Sequence, residues 1–145
     1  MDAKGVSLFE ILIVIVLIFV TTLVLIPSYR GFGVKNNLVV AVNALAQSLN
    51  QAQILARAGD QDSAWGVKIQ PRRITIFKGT NFNVRDASFD KVVSISDSIV
   101  PSGLTELYFA KLSGVPQPTG TFTLTNVSNG EIANVSINAQ GTVSY

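Results

Sequence analysis

The sequence contains no cysteine and no histidine. Without cysteine no disulfide can form, and without either residue the usual zinc ligand sets are absent. Their absence also excludes nucleophilic catalysis by Ser–His or Cys–His pairs. Charged residues are scarce, at 14%, and the net charge of +2 is too small to indicate nucleic-acid binding by itself. The fold must therefore be stable without covalent cross-links.

The most prominent feature of the sequence is a long apolar run over residues 6–26. Its only polar members are Ser7, Glu10, Thr21 and Thr22. As a helix this run would be roughly 31 Å long, close to the thickness of a bilayer core of about 30 Å. It is too long for the apolar stretch of a secretory signal peptide, and no small-x-small cleavage site directly follows it. The sequence predicts a single transmembrane segment that stays attached.

The residues around this run have a recognisable spacing. A short hydrophilic stretch, MDAKG, precedes it, Glu10 is the fifth residue after Gly5, and Pro27 is the twenty-second. This resembles the type IV prepilin signature of the pilin and pseudopilin superfamily. The resemblance implies a leader over residues 1–5, cleavage by a prepilin peptidase between Gly5 and Val6, and N-methylation of Val6.

Glu10 needs an explanation, because a carboxylate at the centre of a membrane helix costs roughly 2.5–3.5 kcal/mol. In the family that the sequence resembles, this carboxylate can pair with the free α-amine of a neighbouring subunit, here that of Val6. Pairing in a low dielectric favours one axial offset between subunits. We therefore expect Glu10 to set the assembly register and not to act as a catalyst. Pro27 is expected to kink the helix, since it lacks an amide hydrogen.

A second helical pattern follows Pro27. Apolar residues recur at spacings of three and four, which marks one face of an α-helix: Leu38, Val42, Leu45, Leu49, Ala52 and Ala56. Gly59 is a suitable residue to end it. The sequence predicts one helix from residue 6 to about residue 58, with a transmembrane and assembly half (6–27) and an amphipathic half (28–58) that packs on a head.

Residues 59–145 have the alternating pattern of strands. Six or seven mostly antiparallel strands are predicted from the segments WGVKIQ, ITIFK, KVVSISDSIV, ELYFAKL, TFTLT, IANVSIN and TVSY. Asn129 and Gly130 predict a hairpin, and TNFNVRDASFD (80–90) is predicted to be a surface loop. The fold class is α+β, with a long N-terminal helix packed against an antiparallel β-sheet head. The passages AQILARAGDQDSAWGVKI and NAQGTVSY resemble those of H-type minor pseudopilins (GspH/FimT-like).

Basic residues near one turn are a candidate phosphate-binding cluster: Lys68, Arg72, Arg73 and Lys78. DNA-binding members of the related family carry arginines in the final strand after its glycine. Here Gly141 is followed by Thr142, Val143 and Ser144. The mismatch disfavours a nucleic-acid partner, and solvated turn charges are the simpler interpretation.

Two acids and two sequons are the other candidate sites. Asp60 and Asp62 supply far fewer oxygen ligands than the six to eight that calcium takes, so they are interpreted as capping a turn, and no metal or other cofactor is predicted. Asn126 and Asn134 lie in N-x-S sequons, which carry little weight in a pilin-like sequence.

The leading prediction is a structural, non-enzymatic subunit of a filament assembled from the inner membrane, with its head outside the cytoplasm. The resemblance implies three partners: a prepilin peptidase and methyltransferase, other pilin or pseudopilin subunits, and the inner-membrane assembly platform. Three kinds of filament are open at this point: a type II secretion pseudopilus, an adhesive or motile pilus, and a competence pilus. Two alternatives stay open, a minor pilin that binds DNA for uptake and a membrane-anchored enzyme, although no acid–base constellation favours the latter.

Overall fold

The computed structural model describes residues 8–145, and the side chains of residues 8–22 and 37–145. The chain comprises two compact units, Met1–Lys35 and Asn36–Tyr145. Helix α1 is followed, in the described part of the chain, by nine strands: α1 Leu8–Arg57, β1 Trp65–Gln70, β2 Arg73–Lys78, β3 Asp86–Ser94, β4 Ile99–Gly103, β5 Glu106–Phe109, β6 Pro116–Gln117, β7 Gly120–Asn126, β8 Ile132–Ile137 and β9 Val143–Ser144. Short 3₁₀ helices lie at Asp60–Asp62 and Phe82–Val84. The predicted α+β class is confirmed.

Within the second unit, the C-terminal part of α1 buries one face in the core. All six members of the predicted apolar stripe are buried, and Leu45 and Leu49 are fully so. The polar residues Asn43, Gln47 and Asn50 are exposed on the other side. The stripe joins apolar side chains from both sheets in one core, including Trp65, Phe109 and Phe122. The period of 3.6 residues therefore identified the packing face correctly.

The strands form two antiparallel sheets and not one. The five-stranded sheet has the order β3-β2-β1-β5-β6 and the four-stranded sheet the order β4-β7-β8-β9. The strand predicted over KVVSISDSIV is wrong as a single element, because β3 ends at Ser94 and β4 begins at Ile99 in the other sheet. A turn separates them, in which Ile99 N–H donates to the Ser96 carbonyl at 3.1 Å. Serine and aspartate favour such turns through local hydrogen bonds.

The loop predicted over residues 80–90 is also partly wrong, because β3 begins at Asp86. The strand lies at the edge of its sheet and is largely exposed on both faces, so it lacks the alternation of a half-buried strand. Only Phe89 and Asp90 are half-buried. The first half of the segment is a loop as predicted, with a 3₁₀ turn started by the Asn81 side chain, which accepts from Asn83 N–H at 2.8 Å.

The hairpin predicted at Asn129 and Gly130 is confirmed. It joins β7 to β8, with Thr125 paired to Ile132. Gly130 has φ +74°, a conformation that glycine adopts at no steric cost. Its own amide closes the loop, since Gly130 N–H donates to the Asn126 carbonyl at 2.8 Å.

The end of α1 is tied to loops of both sheets. Leu112 N–H, in the β5–β6 connection, donates to the Ala56 carbonyl at 2.8 Å and so satisfies a carbonyl of the last helical turn. The buried Gln53 side chain donates to the carbonyls of Gly114 (3.1 Å) and Gln140 (3.4 Å). Gly141 packs so closely on this amide that a Cβ there would lie 1.9 Å from Gln53 Nε2. One glutamine therefore joins the helix to the connections of both sheets.

Candidate functional site

The apolar segment, residues 8–22 of α1, contains the longest run of exposed large apolar residues among the described side chains. Every described side chain in it is exposed, and the exposed fraction of its large apolar residues ranges from 43% at Ile13 to 83% at Leu8. A helix that is apolar all round is normally buried in protein or in lipid. Exposed apolar surfaces of this kind mark protein–protein or membrane contacts.

The two threonine hydroxyls of this segment are arranged to suit an apolar environment. The Thr21 hydroxyl donates to the carbonyls of Leu17 (2.8 Å) and Ile18 (2.9 Å), and the Thr22 hydroxyl donates to the Ile18 carbonyl at 2.7 Å. These hydroxyls therefore have partners within their own helix. Burial of the segment would leave no threonine donor unsatisfied, which is the costly case.

Glu10 is the charged side chain of the apolar segment. It is exposed, and Ile11, Val14 and Ile15 line the same surface beside it. It forms none of the salt bridges found among the described residues. The carboxylate therefore lies on an apolar helix surface where a neighbouring chain can supply a cation.

The other residues predicted to act in this part of the chain are Gly5, Val6 and Pro27. Gly5 and Val6, the predicted cleavage and methylation site, lie outside the described residues. Pro27 falls within α1, but its side chain is also outside the described set, and the kink stays a prediction. No helix in the portion of the chain with described side chains is both long enough and apolar enough to cross a membrane.

The predicted basic cluster is not assembled. Lys68 pairs with Glu106 at 3.2 Å, and the Lys78 ammonium lies 4.2 Å from the centre of the Phe89 ring. Lys78 ends β2, five residues from Arg73, which places it about 16 Å along the strand. The prediction that four basic residues surround one turn is therefore wrong for Lys78, and the turn itself carries only Arg72 and Arg73.

Of the two acids after the helix, Asp62 has a side-chain partner, and Asp60 makes its contact through its backbone carbonyl. The Lys111 ammonium is hydrogen-bonded to the Asp62 carboxylate and lowers the pKa of Asp62. The Asp60 carbonyl accepts from the Trp65 indole N–H at 3.0 Å. Within the described residues no three histidine, cysteine, aspartate or glutamate side chains group together as metal ligands do. The sequon residue Asn126 is fully buried, and Asn134 Oδ1 accepts from the Thr123 hydroxyl at 3.0 Å.

One polar cluster was missed by the sequence analysis. Arg85 makes a bidentate contact with Asp90, with Nε–O distances of 2.9 and 2.8 Å, and its guanidinium lies 3.6 Å from the centre of the Phe82 ring. Phe82 in turn packs edge-on against Phe77. The cluster fixes the β2–β3 connection over the five-stranded sheet. Arginine and aspartate five residues apart in a polar segment gave no periodic pattern to detect.

Comparisons with known proteins identify the fold. No protein-family model matches the chain, and no curated protein matches it. The structure is similar to that of the minor pseudopilin EpsH from the type 2 secretion system of Vibrio cholerae, with 14% identity and a TM-score of 0.51, over 72% of this chain and 92% of that chain. A crystal structure of the same minor pseudopilin covers 77% of this chain and 94% of its own, with 14% identity and a TM-score of 0.49. The first of these likenesses shows that the chain has a minor pseudopilin fold, as the sequence resemblance predicted.

Proposed function

We propose that this chain is a pseudopilin-class structural subunit of a filament assembled from the inner membrane, and that residues 8–22 join it to its neighbours. The observation that carries the proposal is the apolar segment itself, which is exposed on every side of α1. The minor pseudopilin fold of the chain supports the same role.

Relative to exposure in water, burying one leucine, isoleucine, valine or phenylalanine side chain contributes about 1.5–3 kcal/mol. This energy keeps the segment out of water, both in the membrane and in the filament. Before assembly the segment lies in lipid, and association there gains from close packing and from the pairing of polar groups. The segment thus has two environments in turn, the membrane and the filament interior.

Glu10 selects the geometry of that contact. Cleavage between Gly5 and Val6 creates an α-amine, and we propose that the Glu10 carboxylate pairs with the Val6 amine of the adjoining subunit. Other axial offsets leave the carboxylate unpaired in apolar surroundings, which is strongly unfavourable. One offset is therefore favoured, and Pro27 adjusts the course of the helix beyond it.

The remaining steps follow from this role. A prepilin peptidase removes residues 1–5 and N-methylates Val6, and the chain resides in the inner membrane as a single-pass protein with residues 59–145 outside the cytoplasm. The assembly platform then moves it into the filament. The likeness to a type II secretion pseudopilin favours a pseudopilus as the product, and the role requires no enzymatic activity.

The test compares Glu10→Leu with the control Thr21→Val in cells that have the assembly machinery. Glu10→Leu removes the pairing group and makes the segment more apolar, so we expect cleaved, folded protein that stays in the membrane fraction and is depleted from the sheared filament fraction. Thr21→Val removes a hydroxyl bonded within its own helix and should enter filaments normally. Glu10→Gln, which retains some hydrogen bonding, should be intermediate.

Two results would count against the proposal. Normal incorporation of Glu10→Leu would show that pairing does not set the register. Absence of the unmodified chain from filaments, with its head folded and the machinery active, would overturn the subunit role itself.

A further inference from the structure

The turn between β1 and β2 carries an arginine where the backbone favours glycine. Gln70 pairs with Arg73, so Pro71 and Arg72 alone connect the strands. Arg72 has φ +72°, and because proline holds φ near −65°, the turn is of type II. Its second central position is usually glycine or asparagine, since a larger side chain is strained there. Ile95 N–H donates to the Arg72 carbonyl at 3.0 Å and helps to hold this conformation.

Both arginines of the turn retain free donors. Arg73 Nε donates to Gln70 Oε1 at 3.1 Å, which uses one of five guanidinium N–H groups and orients the side chain. Arg72 Nη2 lies 3.7 Å from Asp97 Oδ2, and these two side chains are 74% and 72% exposed. Such an exposed pair is weak and screened by water and salt. A stronger anion can therefore compete with Asp97 for Arg72.

The two arginines border a surface concavity of about 500 Å³. Its lining residues come from the turn and from the adjoining part of β3: Gln70, Pro71, Arg72, Arg73, Val92 and Ser94. The Gln70 amide and the Ser94 hydroxyl add neutral donors to the two cations, and the exposed Val92 adds an apolar wall. The concavity has room for an oxyanion together with the group to which it is attached.

We propose that this concavity, the β1–β2 turn site, binds a single phosphate group, either free phosphate or the headgroup of an anionic phospholipid. Two guanidinium groups suit a phosphate because each can donate two parallel hydrogen bonds to its oxygens. Duplex nucleic acid is a poorer fit, since its binding draws on many phosphate contacts along a track. Lys68 is paired with Glu106 and Lys78 lies at the other end of the hairpin. The site does not depend on the assembly role proposed above.

The test uses the full-length chain in uncharged detergent, and NMR at constant ionic strength measures ligand binding. Inorganic phosphate and glycerophosphoglycerol, a phospholipid headgroup without its acyl chains, are titrated separately. We expect saturable shifts confined to the turn and to Ser94. Arg72→Gly should weaken binding by about 1.4-fold to fivefold, the range for losing an exposed charge pair, without lowering Tm, because glycine fits the turn.

Arg73→Gln should weaken binding similarly, and Lys78→Gln, which removes the same charge elsewhere on the sheet, should leave it unchanged. Preference for glycerophosphoglycerol supports a lipid headgroup, and equal binding of both probes supports a free phosphate group. No saturable shift with either probe would overturn the site. The proposal would also be overturned if Lys78→Gln weakened binding as much as Arg72→Gly. Tighter binding of a duplex oligonucleotide, weakened equally by Arg72→Gly and Arg73→Gln, would overturn it as well.

Discussion

Gly141→Ala tests the packing that joins α1 to both sheets. Gly141 has φ +80°, and a Cβ there would lie 1.9 Å from Gln53 Nε2. The alanine methyl must displace the Gln53 amide, which donates to the carbonyls of Gly114 and Gln140. The variant thus combines backbone strain with the loss of two hydrogen bonds from a buried side chain.

The matched control is Gly130→Ala, because Gly130 has nearly the same φ, +74°, but nothing within 4 Å of an added Cβ. Left-handed strain costs about 1–2 kcal/mol, and reduced freedom of the unfolded chain returns about 0.4–1 kcal/mol, so the control should lose about 1 kcal/mol. Unsatisfied buried groups cost a further 1–3 kcal/mol, roughly. We therefore expect Gly141→Ala to lose about 2–4 kcal/mol.

Denaturant unfolding measures the difference, with Trp65 as the probe. Trp65 is the only tryptophan and is 1% exposed in the core, so its fluorescence follows the second unit. In a Gln53→Ala background the obstruction is absent, and Gly141→Ala should then cost no more than Gly130→Ala. Equal losses for both glycine variants in the wild-type background would show that the close contact between Gly141 and Gln53 contributes nothing to stability.

Further predictions concern the core, one carboxylate and processing. Leu45→Asp places a charge at a fully buried position and should cost several kcal/mol, about 3–5, by thermal or denaturant unfolding, whereas Gln47→Asp on the exposed face should cost little. The Ser88 hydroxyl and amide hold the pKa of Asp86 below its usual range. Ser88→Ala should therefore raise that pKa in an NMR titration, and it should remove a stabilisation that is present at neutral pH and lost as pH falls through the folded-state pKa. Gly5→Leu should block cleavage, so that mass spectrometry finds the intact chain in cells that have the peptidase.

Local periodicity was enough to predict much of the fold. The spacing from Leu38 to Ala56 identified the buried helix face, and the alternation of Trp65, Val67 and Ile69 identified β1. Both patterns arise because one face of each element is buried against the core, so the sequence records the burial directly.

Contacts between segments distant in sequence could not be predicted from local patterns. Gln53 bonds to carbonyls 61 and 87 residues away, and nothing in the sequence distinguishes its amide from those of Asn50 and Gln51 nearby. Edge strand β3 was missed over Asp86 to Asp90 because neither of its faces is consistently buried. The division into two sheets depends on the turn at Ser96, which the alternation of KVVSISDSIV concealed.

The candidate assembly segment was predictable from composition, because an unbroken apolar run needs no tertiary information to be recognised. The arrangement of the basic residues could not be predicted from the sequence. Lys78 and Arg73 are close in sequence, but the length of an extended strand separates them. Only Arg72 and Arg73 share the turn, and the strained conformation of Arg72 is a property that the sequence did not reveal.

The most direct test of the filament role is photo-cross-linking from within the apolar segment in cells that assemble the filament. A benzophenone amino acid replaces Val14, which is 50% exposed beside Glu10, or, as the control, Val127, which is 63% exposed in the β7–β8 loop. Position 14 should cross-link to a second chain bearing a prepilin-type apolar N-terminal segment. Glu10→Leu should abolish this product, and position 127 should not yield it. Cross-links from position 14 to lipid alone, while filaments form normally, would show that the apolar segment does not join the chain to its neighbours.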